Sequence, residues 1–136
     1  MAEDNYKPTE SMANEAARGL KWREEYNRGG TQVGVTRANQ LVNRENLSAS
    51  TVKRMHSYFS RHEVDKQGQG FSPGEDGYPS AGRIAWALWG GDPGQSWARD
   101  KVASMDKHFE SETEYDEKFY SLLNELEELT DRISNQ

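Results

Sequence analysis

The sequence contains no cysteine, so it can form neither a disulfide framework nor a thiolate metal site. This absence fits a reducing compartment. The sequence also has no apolar run near the roughly 20 residues that a membrane span needs, and its first ten residues lack the basic and apolar regions of a secretion signal. We therefore expect a cytoplasmic protein with no membrane partner.

Hydrophobic residues are scarce, at 33% of 136 residues, and the mean hydropathy is -1.06. Aromatic residues are nevertheless plentiful, with four Trp, six Tyr and four Phe. Disordered chains usually have fewer aromatic anchors than this. A chain of this length can bury roughly two thirds of its unfolded surface, so the composition predicts one folded domain.

The net charge of -6 is unevenly distributed along the chain. Residues 11–107 hold 14 basic and 11 acidic side chains, whereas residues 108–136 hold two basic and nine acidic ones. Within the body, residues 16–66 hold ten basic groups against five acidic ones. A local excess of this kind is typical of a surface that binds an anionic partner.

Apolar residues recur at steps of three and four, which predicts amphipathic helices and an all-α fold. Ser48 or Ser50 and Ser80 are suited to cap two of these helices. The Gly- and Pro-rich residues 66–79 predict an irregular loop that positions Phe71 and Tyr78 on the body. Residues 1–12 are expected to be a flexible arm, and residues 13–108 a compact, basic, multi-helix module. Helices are predicted over residues 13–27, 35–43, 51–62, 81–89 and 96–108.

The last segment, residues 109–136, has the pattern of an acidic amphipathic helix. Its apolar residues alternate steps of four and three, which is the a/d spacing of a coiled coil over about three heptads. A hairpin onto the body and a dimeric coiled coil are both compatible with this pattern, and we expect the helix to mediate self-association. The seam consists of Tyr115, Phe119, Leu122, Leu126, Leu129 and Ile133.

The helices predicted over 35–43 and 51–62 form a pair that is similar to a helix-turn-helix. The second helix presents Lys53, Arg54 and Arg61 away from its apolar stripe, as a helix in a DNA major groove would. The connection between the helices is longer than the three to four residues of the motif and contains no glycine. An ordinary solvated face is the alternative, and the long connection favours it.

Motifs that support catalysis are missing from the sequence. It has no phosphate-cradling GxxxxGK and no nucleophile elbow, and its crowded carboxylates lie in the acidic tail. His56 and His62 are six residues apart on one predicted helix, so they cannot share a metal ion. We expect Trp86, Trp89 and Trp97 to form core rather than a platform for bases. The chain is therefore predicted to be no enzyme and to need no metal or cofactor; catalysis by His62 and Glu63 is the opposing hypothesis.

Two stretches resemble a known module: GLKWREEYNRGGTQVGVTRANQLVNRENLSASTVKRMHSYFSRHEVDK and, further along, GEDGYPSAGRIAWALWGGDPGQSWA. Together they are similar to a helical module that recurs in tailed-bacteriophage proteins, including segments attached to head-maturation proteases and other head proteins. The resemblance covers residues 13–98, and its most distinctive portion is SAGRIAWALWGGDPG. It implies a phage or prophage origin and a helical, non-catalytic unit.

The sequence thus predicts a phage accessory or virion-assembly protein, in the host cytoplasm or in the virion. Its basic surface would bind DNA or a phage head protein, and its terminal helix would form a homo-oligomer. The alternative is an inhibitor or decoy of a host protein, whose acidic tail imitates nucleic-acid charge. We expect the binding cations to share one outward side of the body: Arg18, Arg23, Arg37, Lys53, Arg54 and Arg61.

Overall fold

A computed structural model describes residues 6–109 and 122–130. Within these two ranges the structure is all-helical and has no sheet, which confirms the predicted fold class. None of the helices in these ranges is long and apolar enough to cross a bilayer. The helices are α1 (Glu10–Tyr26), α2 (Gln32–Val42), α3 (Ala49–His62), a 3-10 helix (Glu63–Gln67), α4 (Ala81–Leu88) and α5 (Gly91–Phe109), and the backbone is helical again over 122–130.

Serine side chains begin two of the helices, as the sequence predicts. The Ser48 hydroxyl accepts a hydrogen bond from the Thr51 amide at the start of α3, and the Ser80 hydroxyl accepts one from Arg83 at the start of α4. Each hydroxyl satisfies an amide that has no partner within its helix. At the other end of α1, Asn27 adopts a left-handed conformation with φ 53°, which ends that helix.

The first described residues are packed against the body, so the expected flexible arm is wrong for residues 6–12. The Leu47 amide donates to the Tyr6 carbonyl at 3.0 Å, and Arg44 Nε donates to the Pro8 carbonyl at 2.8 Å. Met12 is fully buried in the first turn of α1. The sequence pattern placed the helix start at residue 13, because Met12 stands among polar residues and does not extend the apolar stripe. Residues 1–5 lie outside the described residues.

Helix α4 lies at the centre of the fold. It packs mainly against α1 and also meets α2 and α5, while α3 takes its main support from α5. Trp86 and Trp89 are 1% and 4% exposed, and the Tyr58 ring stacks on Trp89 with a centroid distance of 4.5 Å. The prediction that the tryptophans form core is confirmed for these two. Trp97 is partly buried and packs against the same cluster.

The glycine-rich connection before α4 holds two aromatic side chains against the body, as predicted. Glu75 folds the loop internally, because its Oε1 accepts hydrogen bonds from the Gly70 and Ser72 amides. The Phe71 ring meets Trp86 edge to face at 6.1 Å, and Tyr78 meets Trp22 at 5.7 Å.

After α4 the chain turns at once into α5. This helix begins at Gly91, five residues before the predicted start at residue 96. Gly90 and Gly91 both have positive φ, at 114° and 67°, so the expected Gly-Pro turn is compressed into this pair of glycines and the first turn of α5.

Candidate nucleic-acid interface

Three of the predicted cations gather on one side of the fold, around a carboxylate from the terminal helix. Arg54 and Arg61 are seven residues apart on α3 and therefore lie on the same helical face. Arg54 Nη2 forms an ion pair with Glu127 Oε2, and Arg61 Nη2 lies 3.7 Å from Glu127 Oε1. Arg37 on α2 interacts electrostatically with both Arg54 and Glu127. We call Arg37, Arg54 and Arg61 the arginine cluster.

Arg37 is the most deeply buried member of the arginine cluster, at 4% exposure. Its guanidinium lies over the Trp89 ring, 5.0 Å from the centroid, and donates a hydrogen bond to Gln40 Oε1. Burial, and after it the positive charge of Arg54, lower the pKa of Arg37 to about 10, and the Glu127 carboxylate opposes both effects. Arg37 therefore keeps its charge at neutral pH, inside a crowded cationic site.

The cluster offers more hydrogen-bond donors than its protein partners use. Arg37 Nε, Arg54 Nε, Arg61 Nε and Arg61 Nη1 are buried and have no hydrogen-bond partner among the described residues. Its acidic neighbours supply two carboxylates: Glu127, and the half-exposed Glu128, whose Oε2 lies 3.9 Å from Arg61 Nε. Three guanidinium groups thus face two carboxylates, and the site keeps a net positive charge.

The other three predicted cations take part in different contacts. Arg18 on α1 pairs with Glu15 at 3.1 Å and donates to the Tyr78 hydroxyl. Arg23 Nε donates to the Gly29 carbonyl and so ties the end of α1 to the following turn. Lys53 lies beside Arg54 on α3 and is partly buried. The single outward side expected from the sequence is therefore not found: the α1 cations hold their own turn and loop, and the arginine cluster gathers around Glu127 with its side chains mostly covered.

The helical segment 122–130, here called the terminal segment, meets α3 through its acidic edge. Glu127 is 5% exposed, while Leu122, Leu126 and Leu129 are 61%, 60% and 50% exposed. These three leucines, the leucine edge, belong to the predicted self-association seam and face away from the body. The remaining seam residues, Tyr115, Phe119 and Ile133, lie outside the described residues.

Of the two geometries that the seam pattern left open, the structure shows a return to the body, and the dimeric coiled coil stays a prediction. The terminal segment does return to the body, as a hairpin would, but the contact is made by charge rather than by the apolar seam. An apolar ridge on a helix that is already docked remains available to another surface.

A cleft of about 490 Å³ lies between α1, the glycine-rich loop and the start of α5. The Glu15 carboxylate bridges Arg18 and Arg83 on its wall, at 3.1 Å and 3.3 Å. Asp92 accepts a hydrogen bond from Trp86 Nε1 at 2.9 Å and pairs with Lys66 at 3.1 Å. These charges already pair with one another, which is typical of an ion-pair network that holds helices together.

His62 and Glu63, the residues of the opposing catalytic hypothesis, contact different partners. His62 Nδ1 lies 3.1 Å from Asp65 Oδ2, and its ring stacks on Tyr58, beside a cavity of about 40 Å³. Glu63 Oε1 instead accepts a hydrogen bond from Gln95. Over residues 6–109 and 122–130, no group of three or more His, Asp or Glu side chains is placed to hold a metal ion.

Comparisons of the chain with family models, curated proteins and solved structures found no match.

Proposed function

We propose that this chain is a non-catalytic accessory or assembly protein of a tailed bacteriophage, which binds DNA through its arginine cluster and self-associates through its terminal segment. The observation that carries the proposal is the two-sided arrangement of that segment. Its acidic edge meets three converging arginines, and its leucine edge faces outward. The arginines that meet the acidic edge support an anion-binding surface on the body, and the leucine edge supports an apolar contact surface on the terminal segment.

Guanidinium groups on adjacent helices suit a phosphate backbone. Arg54 and Arg61 lie about two helical turns apart, roughly 10 Å along α3, a length that spans about three phosphates of one strand at about 3.4 Å of duplex axis each. Arginine also binds phosphate oxygens through two parallel hydrogen bonds, and the cluster has spare donors for this geometry. A phage head protein with an acidic surface is the other partner that the sequence proposes.

The decoy hypothesis receives less support from the geometry. A decoy needs its carboxylates free to enter the basic cleft of a host protein. Glu127 is instead buried against Arg54 and Arg61 of its own chain. The acidic residues between 110 and 117, which the hypothesis also needs, lie outside the described residues.

Fluorescence anisotropy with a labelled DNA duplex, over a series of salt concentrations, tests the DNA-binding proposal. Each phosphate contact that releases a counterion contributes about -0.9 to the slope of log K against log salt. We expect a slope of about -2 to -3 for the wild-type chain, and an affinity several-fold weaker with a shallower slope for the Arg54→Gln/Arg61→Gln variant.

The matched control is Arg99→Gln, which removes one positive charge from an exposed position on α5. We expect it to bind like the wild type. A salt-independent affinity, or an equal loss in Arg99→Gln, contradicts a DNA interface at the arginine cluster.

A further inference from the structure

The terminal segment occupies the same arginines that the proposed DNA contact requires. Glu127 reaches Arg54 and Arg61 from more than 60 residues away in sequence, and its side chain is almost completely covered there. A carboxylate and a phosphate compete for the same guanidinium donors. A polyanion that binds through the donors that Glu127 uses must therefore displace it.

Glu127 satisfies only some of the hydrogen-bond donors of the arginine cluster. Four buried guanidinium nitrogens of the cluster, and Glu127 Oε1 itself, have no hydrogen-bond partner among the described residues. Arg37 is the clearest case of an unsatisfied donor, because its side chain is 96% buried and yet its Nε has no partner among the described residues. Buried donors without partners are costly, and successive phosphate diesters of a nucleic-acid strand bring more acceptor oxygens to the cluster than one glutamate does.

The contacts that hold the terminal segment on α3 are also of a kind that a competing anion can replace. The ion pairs of its contact with α3 are those of Glu127 and Glu128, while the leucine edge stays at least half exposed. Because Glu127 is buried, the cost of removing its charge from water offsets much of the attraction in these ion pairs, and the net contact is weak. Covalent attachment keeps the segment at a high effective concentration near the cluster, which makes even a weak contact an effective competitor.

We propose that the terminal segment is an intramolecular competitor of nucleic acid, which holds the arginine cluster closed through Glu127 and is released when phosphate groups take its place. This inference rests on the proposed function, since it concerns the regulation of the same DNA-binding site. The affinity for DNA then reflects two quantities, the intrinsic strength of the open cluster and the fraction of molecules in which the segment is detached.

The test compares Glu127→Gln with Glu125→Gln in the full chain, by anisotropy with a labelled DNA duplex at low salt. Both variants remove one negative charge from the same helical segment, but Glu125 is exposed and Glu127 is bound to the arginines. We expect about a fivefold or larger gain in affinity for Glu127→Gln, and less than about a twofold gain for Glu125→Gln. Thermal unfolding of both variants checks that the body remains folded.

A second measurement uses the unmodified protein and does not depend on a buried substitution. Hydrogen exchange is followed with and without a saturating DNA duplex. Displacement predicts that the amides of 122–130 exchange several-fold faster in the complex, while those of α4 are unchanged.

The outcomes separate the two proposals. Equal gains in Glu127→Gln and Glu125→Gln, or unchanged protection of 122–130 in the complex, overturn the competition and leave DNA binding intact. No DNA binding by any of these proteins overturns both proposals. If Glu127→Gln binds a synthetic 122–130 peptide but no DNA duplex, the arginine cluster is a protein-binding site. This result also overturns the inference.

Discussion

Single charged side chains in this protein are positioned by partners on other elements. Asp92, at the start of α5, accepts a hydrogen bond from Trp86 of α4 and pairs with Lys66, which follows α3. Burial alone would raise the pKa of Asp92, but these two hydrogen bonds, with the positive charges of Lys66 and Arg83, together lower it. The carboxylate therefore joins three parts of the chain and is stabilised in its charged form.

The lowered pKa of Asp92 predicts a dependence of stability on pH. A carboxyl whose pKa is lower in the folded state stabilises the fold above its unfolded pKa, about 3.9, and that contribution is lost as the pH falls through the folded value. We expect Asp92→Asn to lower Tm by about 1–3 °C at pH 7, since the site is largely exposed, and to make no difference near pH 2.

Thermal unfolding at both pH values measures this effect. Asp100→Asn is the control, because Asp100 is equally exposed on α5 and, among the described residues, its ion pair is with its neighbour Arg99. An Asp92→Asn deficit that persists unchanged at pH 2 would show that packing, rather than charge, accounts for it.

The helices of this protein are held together at points where glycine lets two backbones approach. Gly19 in the middle of α1 faces α4, and a Cβ placed on it would lie 2.8 Å from the Leu88 nitrogen and 3.0 Å from Ala87 Cβ. The sequence shows a glycine inside a helical pattern, where it costs helix propensity. The structure supplies the reason for its presence, which is the close contact between α1 and α4.

Substitution of this glycine is therefore predicted to destabilise the fold although alanine is the better helix former. We expect Gly19→Ala to lower the free energy of unfolding by about 1–3 kcal/mol, because the clash involves backbone atoms that cannot move aside. Urea denaturation measures the change.

Asn14→Ala serves as the matched control, since it places the same residue at an exposed position of the same helix. We expect it to be neutral or stabilising by about 0.5 kcal/mol. If Gly19→Ala is as stable as Asn14→Ala, α1 and α4 are not in tight contact.

At the scale of the whole molecule, a basic helical body is combined with an acidic helix that turns its apolar side outward. A leucine ridge at a/d spacing is self-complementary, so a second copy of the same segment is the partner that fits it best. The arginines neutralise part of the acidic edge, which reduces the repulsion between two such segments. The proposed self-association and the charge pairing within the chain would thus use opposite sides of one helix.

Replacing part of the leucine edge is predicted to abolish association without unfolding the body. Each buried leucine contributes about 1.5–3 kcal/mol, so Leu126→Gln/Leu129→Gln should weaken association by about 100-fold or more. Sedimentation velocity over a range of protein concentrations measures the change.

Val64→Gln is the control, because Val64 is 66% exposed on the 3-10 helix, away from the leucine edge. It is expected to associate like the wild type. A wild-type protein that stays monomeric at about 100 μM, or a Val64→Gln variant with the same defect, contradicts the assigned surface.

The amino-acid sequence by itself determined the properties that depend on neighbouring residues. Steps of three and four between apolar residues predicted the helices, because periodicity is a local effect. Capping is local too: Ser80 predicted the start of α4, and of the two candidates Ser48 and Ser50 the first caps α3. The tryptophan core followed from the same stripes. The prediction of a flexible N-terminal arm was wrong at Met12, which is buried although it stands among polar residues in the sequence.

Only the tertiary structure decided which of the predicted surfaces meet. Local patterns show that Arg37, Arg54 and Arg61 are cationic and that Glu127 lies on an acidic helix, but they hold no information on contacts between residues 73 positions apart. The fold brought three of the six predicted cations around that glutamate; of the others, Arg18 and Arg23 bind a loop and a turn, and Lys53 stays on α3. It also left the leucine edge outward, because the pairing of charges across space, rather than the spacing of apolar residues along the chain, set the orientation of the terminal segment.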